Sequence, residues 1–294
     1  MNWPNACLRQ HELLANHTSF RIGGPAEWFA EPSTLDELVE LLRGAHQRGL
    51  PVSIVGGGTN TLAADRGIRG LVVHLGRGFR TAQEAQHPED AAATVHCGAA
   101  LLTQRLVFLA ARHGWDGVET LAGLPGQVGG AVVMNAQEIG RFVQHIELVT
   151  LEGDVRVIER AELHFSYRYA ALEPGIITAV ELAFKKIPPA EACELIRKAL
   201  TYRNTTQEVR LPSAGCAFKN PSGRSAGRLI DEAGLKGARI GDAQVSVRHA
   251  NFIVNTGQAT CDDVLSLMEH VRRRVAERFA IHLEPEVRLI GERR

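Results

Sequence analysis

Two glycine clusters are the part of the sequence whose residue types most directly imply chemistry. The first, Gly56-Gly57-Gly58-Thr59-Asn60, follows the apolar run 51–55, and the second lies within 121–135. Because glycine has no Cβ, successive backbone N–H groups in such loops can converge on an anion. No Lys-Ser/Thr follows the first cluster at the spacing of a P-loop, so a P-loop is excluded. The third glycine and the following helix of a Rossmann dinucleotide fingerprint are also missing. Either cluster alone is also typical of a tight turn, but two beside apolar strands favour a large phosphate-bearing cofactor held along its length.

A second pattern, Gly223-Arg224-Ser225-Ala226-Gly227, matches the GxSxG signature of a hydrolase nucleophile. Acidic and histidine residues follow in an order that a catalytic triad allows: Asp231, Asp242, His249 and His270. The pattern follows a polar turn at 219–222 rather than a central hydrophobic strand, and no βαβ series precedes it. A hydrolase is therefore kept only as an alternative, which labelling of Ser225 by an acyl-serine probe would support.

The cysteines and histidines predict neither a disulfide framework nor a metal site. The cysteines are odd in number and show no CxxC spacing, and the histidines form no HExxH motif. They stand at Cys7, Cys97, Cys193, Cys216 and Cys261. The first residues lack the features of a signal peptide, and no apolar run approaches the ~20 residues that span a bilayer. We therefore expect a protein of the reducing cytoplasm, with no membrane partner.

Composition sets the broad class. The chain has 294 residues, and its 33 basic and 33 acidic residues give a formal net charge of zero. With no basic excess to neutralise phosphates, a general nucleic-acid binder is not expected. Apolar residues make up 45% and charged residues 22%, both close to globular averages, and the length favours two domains. Glycine is the exception, with 29 residues, about a tenth of the chain against a usual ~7%.

The elements that must position these loops follow from hydrophobic periodicity. Thr34 and Glu37 predict a capping box at the start of a helix over 33–48. Glu152-Gly153-Asp154 predicts the turn of a hairpin over 146–158, and the polar, alanine-rich residues 79–92 indicate an exposed connection. Further strands are predicted at 51–55, 71–75, 94–97, 175–184, within 243–255 and at 286–290. Further helices are predicted at 101–113, at 190–203, at the end of a strand–turn–helix unit over 214–234, and from Thr260 to His282.

The prolines at 188 and 189 predict a domain boundary near residue 187, because each removes a backbone donor and fixes φ. No internal repeat is visible. The mixture of helices and strands indicates an α/β or α+β chain.

Seven segments resemble the UDP-N-acetylenolpyruvoylglucosamine reductases, also called UDP-N-acetylmuramate dehydrogenases. They are Asn16–Ala26, Gly56–Asn60, Leu124–Asn135, Ser166–Arg168, Ser213–Pro221, Ala226–Ile230 and Leu283–Gly291. The segments occur in the family's order and cover nearly the whole chain. Since 229–251 contains no long insertion, the chain is similar to the shorter of the family's two subtypes.

The resemblance implies an α+β fold with two parts. A two-lobed FAD-binding region of the vanillyl-alcohol-oxidase (PCMH) type would occupy 17–186, with lobes at about 17–73 and 74–186. A smaller α+β substrate-binding domain would occupy 187–294. The resemblance implies that FAD is bound by Gly56, Gly57, Gly58, Thr59, Asn60, Pro125, Gly126, Gly129, Gly130 and Asn135. These positions lie in the two clusters in which residue types alone indicated an anion cradle.

The reaction that the resemblance implies is the NADPH-dependent reduction of the enolpyruvyl ether of UDP-N-acetylglucosamine enolpyruvate to UDP-N-acetylmuramate, in peptidoglycan precursor synthesis. NADPH would reduce the flavin, and a hydride would then pass to the far vinyl carbon. Negative charge would develop at the substrate carboxylate while a side chain protonates the other carbon. Such a reaction needs a cation at the carboxylate, a second acid nearby and a proton donor. The implied partners are NADPH and the UDP-sugar, and a monomer is the default.

The resemblance assigns these roles residue by residue. Arg168 would polarise the carboxylate through a bidentate fork, and Glu286 would lie near the developing charge as a protonated or proton-sharing carboxyl. Cys216 stands where the family usually has the serine that donates the proton. Because a thiol, with a pKa near ~8.5, is a stronger acid than an alkyl hydroxyl, the donor role survives the change. Positions that hold the substrate carboxylate and diphosphate correspond to Tyr167, Lys219 and Asn220.

Other interpretations stay open at this point. Arg168 is also compatible with a surface ion pair, Glu286 with a solvated strand face, and Cys216 with apolar filler among small residues. A flavoenzyme of the same fold that oxidises a small alcohol with oxygen is one alternative function. A UDP-sugar-binding module without catalysis is another, since Cys216 departs from the family pattern.

Overall fold

The computed structural model describes residues 8–85, 92–208 and 210–291. Cys7 and residues 86–91 of the predicted connection lie outside this part of the chain. The described chain forms two compact units, both discontinuous in sequence. The first unit comprises the described residues up to Arg9, Phe29–Gly57 and Gly70–Arg203; the second comprises Gln10–Trp28, Gly58–Arg69 and the described residues from Asn204. The predicted domains, 17–186 and 187–294, were continuous ranges and stay a prediction.

The α-helices of the described chain are α1 (Leu35–Gln47), α2 (Thr103–His113), α3 (Val128–Val133), α4 (Pro189–Thr206), α5 (Ala226–Glu232) and α6 (Cys261–Phe279). The strands are β1 (Leu8–Leu13), β2 (Pro25–Ala30), β3 (Val52–Ile54), β4 (Thr61–Ala63), β5 (Ile68–Val73), β6 (Ala82–Glu84), β7 (Ala92–Gly98), β8 (Val143–Thr150), β9 (Val155–Glu159), β10 (His164–Ser166), β11 (Tyr169–Ala171), β12 (Gly175–Lys185), β13 (Ser213–Cys216), β14 (Arg239–Ile240), β15 (Ala243–Val245), β16 (Phe252–Asn255) and β17 (Arg288–Ile290). Short 3-10 helices lie at Leu14–His17, Arg77–Phe79, Val118–Leu121, Ala136–Arg141 and Arg160–Glu162. The predicted α+β class is confirmed.

The first unit is built around an antiparallel sheet in the order β6-β7-β12-β8-β9. The central strand, β12, is almost wholly buried because its Val, Leu, Ile and Phe side chains contribute to the core. Phe184 near its end stacks on Trp115 with ring centroids 5.5 Å apart. The predicted hairpin is confirmed as β8 and β9, but the predicted connection over 79–92 also contains β6, which pairs with β7.

The second unit holds a separate core. Its antiparallel sheet has the order β13-β16-β15-β14, and all four residues of β16 are buried. Helix α6 packs an apolar stripe into this core, with Val264, Leu267 and Val271 at helical spacing. Thr260 caps α6 in a reciprocal pair with Asp263, so the helix begins where predicted. It ends at Phe279, three residues before His282. At the C-terminal end, β17 pairs in parallel with β4.

Local signals explain which helix starts were predictable. Thr34 accepts a hydrogen bond from the N–H of Glu37, whose carboxylate reaches back to the Thr34 N–H, so the predicted capping box of α1 is confirmed. A four-stranded sheet in the order β1-β2-β5-β3 includes two strands, β1 and β2, that periodicity did not predict. In the described part of the chain, no helix combines the length and the apolar character needed to cross a bilayer.

Candidate active site

The first glycine loop has the features of an anion cradle. Within the described residues, the N–H groups of Gly56, Gly57 and Gly58 donate to no acceptor of the protein. The two successive free donors of the first unit, Gly56 and Gly57, offer an anion hydrogen bonds that the chain itself does not accept. In the first unit, a Cβ added to Gly57 would lie 2.9 Å from the Cα of Gly126, in the second glycine cluster. The two clusters therefore approach backbone to backbone, as a cofactor cradle requires.

Gly58 lies in the second unit, where the chain leaves no room for a side chain. Its φ is +63°, and a Cβ would lie 2.0 Å from the carbonyl oxygen of His17. The backbone N–H of Ser19 donates to the Gly58 carbonyl, and the Ser19 hydroxyl donates to the carbonyl of Ser213. These hydrogen bonds fix Gly58 against the segment 16–26, which is one of the segments that carry the family resemblance. The N–H of Gly58 itself is not used in them.

We expect Gly58→Ala to lower stability by more than about 2 kcal/mol and to abolish FAD retention. The left-handed φ alone costs a residue with a Cβ roughly 1–2 kcal/mol, and the overlap with His17 adds to that cost. Gly49→Ala is the matched control, because Gly49 has nearly the same φ, +62°, and open space at its Cβ position. Urea unfolding and the flavin released on denaturation measure both effects; equal losses in the two variants would contradict the role of the loop.

The second glycine cluster holds one further predicted residue beside a strained hairpin. Asn135, at φ +39°, donates from Nδ2 to the carbonyl of Ser166, 2.9 Å away, and accepts from the Gly140 N–H through Oδ1. Ser166 ends β10, and Tyr169 opposite begins β11, so Tyr167 and Arg168 form the two-residue turn between them. The first unit thereby joins the predicted flavin segment to the predicted Tyr-Arg pair.

Arg168 occupies the left-handed region, with φ +58°. Position i+2 of a tight turn with this conformation normally carries glycine or asparagine, because a Cβ costs of order 1 kcal/mol there. Its guanidinium lies 5.5 Å from the centroid of the Tyr167 ring. Arg168 is half-buried, and backbone strain kept at such a turn is typical of a functional site rather than of a surface ion pair. This signal was invisible in the sequence, where Arg168 stood out only by resemblance.

The second unit brings Cys216 and Glu286 close along the backbone. The N–H of Glu286 donates to the carbonyl of Ala217, 2.9 Å away, and the N–H of Lys219 donates to the carbonyl of Glu284. Phe218 and Pro285 form the bridge between these two bonds. Cys216 and Glu286 are both half-buried. The predicted proton donor and the predicted acid are therefore held on adjacent segments.

A bulge at the end of β13 sets the direction of Cys216. Between Ser213 and Cys216 the strand advances three residues while its partner β16 advances two, from Val254 to Phe252. Gly215, at φ +74°, takes up the extra residue. Bulges of this kind re-aim a side chain next to an active site. A glycine inside a predicted strand is the sequence signal that could have indicated it.

Asn251 is a positioning residue that the sequence did not reveal. The residue is 3% exposed, and its side chain accepts from the N–H of Phe218 and donates to the carbonyl of the same residue. Its own carbonyl accepts from the N–H of Ala217. A buried amide that satisfies both backbone groups of Phe218 fixes the segment from Cys216 to Lys219.

Asn251→Ala is expected to lower the free energy of unfolding by about 2–4 kcal/mol, because it leaves two buried backbone groups without partners. Asn204→Ala, at an exposed position of α4, is the control and should change stability by less than about 0.5 kcal/mol. Urea denaturation compares the two. A loss below 1 kcal/mol for Asn251→Ala, with unchanged turnover, would contradict its positioning role.

The remaining predicted residues have partners within the protein. The Lys219 ammonium pairs with the Glu284 carboxylate, and the Asn220 Oδ1 accepts from the N–H of Ala226. The Asn60 Nδ2 donates to the carbonyl of Glu286, 3.2 Å away. Gly129 is packed against Ala99, whereas a Cβ on Gly130 would meet open space. The role of Pro125 and Thr59 in cofactor binding stays a prediction.

The hydrolase alternative finds no support. Ser225 is the N-cap of α5, and its hydroxyl oxygen accepts from the N–H of Arg228. Asp231 and Asp242 are in ion pairs with Lys236 and Arg239.

Among the described residues, one buried and one half-buried group have pKa values shifted mainly by burial, and neither offers an alternative acid. Desolvation lowers the pKa of His249, whose Nδ1 accepts from the N–H of Asn251, so its imidazole is neutral at pH 7. Burial raises the pKa of the Cys97 thiol to about 12, which makes it a poor proton donor at neutral pH.

Comparison with known proteins covers both units. The family model described as UDP-N-acetylenolpyruvoylglucosamine reductase, C-terminal domain, matches residues 207–290, and the model described as FAD binding domain matches 26–159. UDP-N-acetylenolpyruvoylglucosamine reductase 2 of Symbiobacterium thermophilum is 43% identical over 97% of this chain and 92% of its own length. The corresponding reductase of Myxococcus xanthus is 42% identical over 97% of this chain and 93% of its own length. The crystal structure of the reductase from Thermus caldophilus covers 97% of this chain and 100% of its own, with a TM-score of 0.80 and 40% identity.

Proposed function

We infer the function of the chain from the family to which it belongs, the UDP-N-acetylenolpyruvoylglucosamine reductases. The chain is an NADP-dependent UDP-N-acetylmuramate dehydrogenase with bound FAD, and it acts in peptidoglycan synthesis. It reduces the enolpyruvyl ether of UDP-N-acetylglucosamine enolpyruvate to UDP-N-acetylmuramate. When bound, FAD supplies the hydride chemistry that links NADPH to the UDP-sugar.

The residues that would hold FAD fit the group by their geometry. The free N–H groups of Gly56 and Gly57 suit the oxygens of a diphosphate. Gly126 lies against Gly57, and Gly130 has open space where a side chain would stand. We propose these positions, with Asn135, as the core of the cofactor site.

We propose that Arg168 binds the substrate carboxylate. A guanidinium can donate two parallel hydrogen bonds to a carboxylate, and the turn holds it ready at the cost of strain. As the far vinyl carbon accepts a hydride, negative charge moves onto the carboxylate, and the fixed cation lowers the energy of that state. Tyr167, which contacts the guanidinium, would keep it in place.

We propose that Cys216 gives its proton to the carbon that does not receive the hydride, so that its thiol leaves the step as a thiolate. Glu286, as a protonated or proton-sharing carboxyl, would stabilise the developing negative charge. The observation that most supports this pair of roles is the hydrogen bond from the Glu286 N–H to the Ala217 carbonyl. It holds the two candidate acids on neighbouring segments of one unit.

Lys219 and Asn220 are proposed to bind the diphosphate of the UDP-sugar. Lys219 would have to exchange its Glu284 partner for a phosphate oxygen. The predicted location in the cytoplasm and the predicted monomeric state stay proposals, which cell fractionation and light scattering test.

Product analysis tests the proposed function. Holoenzyme, NADPH and the enolpyruvyl UDP-sugar in deuterium oxide should give UDP-N-acetylmuramate with a solvent-derived deuterium at the protonated carbon. The other new hydrogen would pass through an exchangeable N–H of the reduced flavin, so the far vinyl carbon should gain solvent deuterium as well. Unchanged UDP-sugar, together with oxygen consumption on a small alcohol, would instead support the oxidase alternative.

A further inference from the structure

One face of the first unit's five-stranded sheet carries imidazole and carboxylate groups that the reductase reaction does not use. His96 of β7 and His145 of β8 both lie opposite Glu181 of the central strand β12. Glu147 lies two residues beyond His145 and hence on the same face. His96, His145 and Glu147, the His–Glu cluster, each offer one ligand atom, and these three atoms lie within 4.8 Å of one another.

A small residue lets the outer members of the cluster meet. Strands β7 and β8 lie on opposite sides of β12, about 10 Å apart by ordinary strand spacing. The β12 residue that pairs with Glu147 is Ala179, whose methyl group leaves the space above it open. The Nε2 of His96 therefore comes within 3.9 Å of Glu147 Oε1.

A second carboxylate lies beside one of the imidazoles. Glu181 Oε1 lies 3.5 Å from the Nδ1 of His145. In metal sites, a carboxylate on one ring nitrogen fixes the tautomer and raises the ligand strength of the other nitrogen. The side chains of His96 and His145 are 40% and 23% exposed, so an ion can enter from solvent while the donors stay partly ordered.

We propose that the His–Glu cluster binds a divalent metal ion of borderline softness, and that Zn²⁺ fits it best. Two imidazoles and one carboxylate are a donor set that Zn²⁺ takes with a fourth position left to water. Zn–ligand bonds of about 2.0–2.1 Å place tetrahedral donors roughly 3.4 Å apart, so small side-chain rotations close the cluster around the ion. The bound ion ties β7 to β8 across β12. The proposal is independent of the reductase activity.

Equilibrium dialysis of the untagged, FAD-loaded protein against ZnCl₂, with a chromophoric chelator as competitor, tests the site. Wild-type protein should bind one Zn²⁺ per chain at micromolar concentration, and Co²⁺ at the same site should give visible d–d bands. His96→Gln and Glu147→Gln should each weaken binding at least about tenfold. A thousandfold excess of Mg²⁺, a hard cation, should not displace the Zn²⁺.

His113→Gln is the matched control. His113 Nδ1 lies 3.1 Å from Glu84, at exposures like those of the cluster but with no third ligand among the groups found in the described chain. This variant should keep wild-type Zn²⁺ affinity. Three results would overturn the proposal. The first is an equal loss of Zn²⁺ affinity in His113→Gln and His96→Gln, and the second is displacement of Zn²⁺ by Mg²⁺. The third is wild-type Zn²⁺ affinity in the His96→Gln/Glu147→Gln double variant.

Discussion

Replacing Cys216 by alanine should slow the reoxidation of reduced flavin by the enolpyruvyl UDP-sugar by about 10² to 10⁴, while NADPH reduces the flavin at an unchanged rate. The factor is the usual contribution of a positioned general acid. The two half-reactions separate because only the second needs a proton delivered to carbon. The bulge at Gly215 displaces position 216 from the regular register of the strand.

Two further variants make this result specific. Cys216→Ser should keep substantial activity, because a hydroxyl can also give a proton and occupies less space than a thiol. Cys193→Ala should leave both half-reactions unchanged, since Cys193 is exposed on α4. Anaerobic stopped-flow absorbance at the flavin band measures each step. Reoxidation of Cys216→Ala at the wild-type rate would exclude the thiol as the proton donor.

Arg168→Asn should lower turnover by about 10² to 10³ while the protein stays as stable as the wild type or becomes more stable. Loss of a preorganised charge at a developing anion costs a factor of this size. Stability should not fall, because asparagine tolerates the left-handed φ that arginine adopts here at a cost of order 1 kcal/mol. If turnover falls while the free energy of unfolding stays the same or rises, the role of Arg168 is functional rather than structural.

Steady-state kinetics with NADPH and the UDP-sugar, together with urea unfolding, test this prediction. Arg168→Lys should also lose most activity, since an ammonium cannot make the bidentate contact. Arg156→Lys is the control, because Arg156 is an exposed residue of β9 that pairs with Glu173. If Arg168→Asn retains turnover, or if it unfolds more readily than the wild type, the carboxylate-binding role is wrong.

The parts of the fold that could be predicted from the sequence depend on short-range signals. The capping boxes at Thr34 and Thr260 mark the start of α1 and α6 because their partners are three residues away. The β8–β9 hairpin follows from its turn. Strands such as β6 and β10 were missed because each has three residues, too few to show a period.

The candidate site shows the same limit. The glycine loops could be interpreted as an anion cradle, since a missing Cβ is a property of the residue itself. The roles of Arg168, Cys216 and Glu286 came from resemblance alone. Nothing in the local sequence predicts that Asn251 satisfies Phe218, or that His96 meets Glu147 across β12, because these contacts depend on strand order and register.

Anaerobic titration of the purified protein tests the central claim most directly. The protein should be yellow with bound FAD, lose its absorbance when NADPH is added, and regain it on addition of the enolpyruvyl UDP-sugar, with UDP-N-acetylmuramate formed in equal amount. A protein that cannot be reconstituted with FAD would contradict the account. Recovery of colour with oxygen but not with the UDP-sugar would contradict it equally.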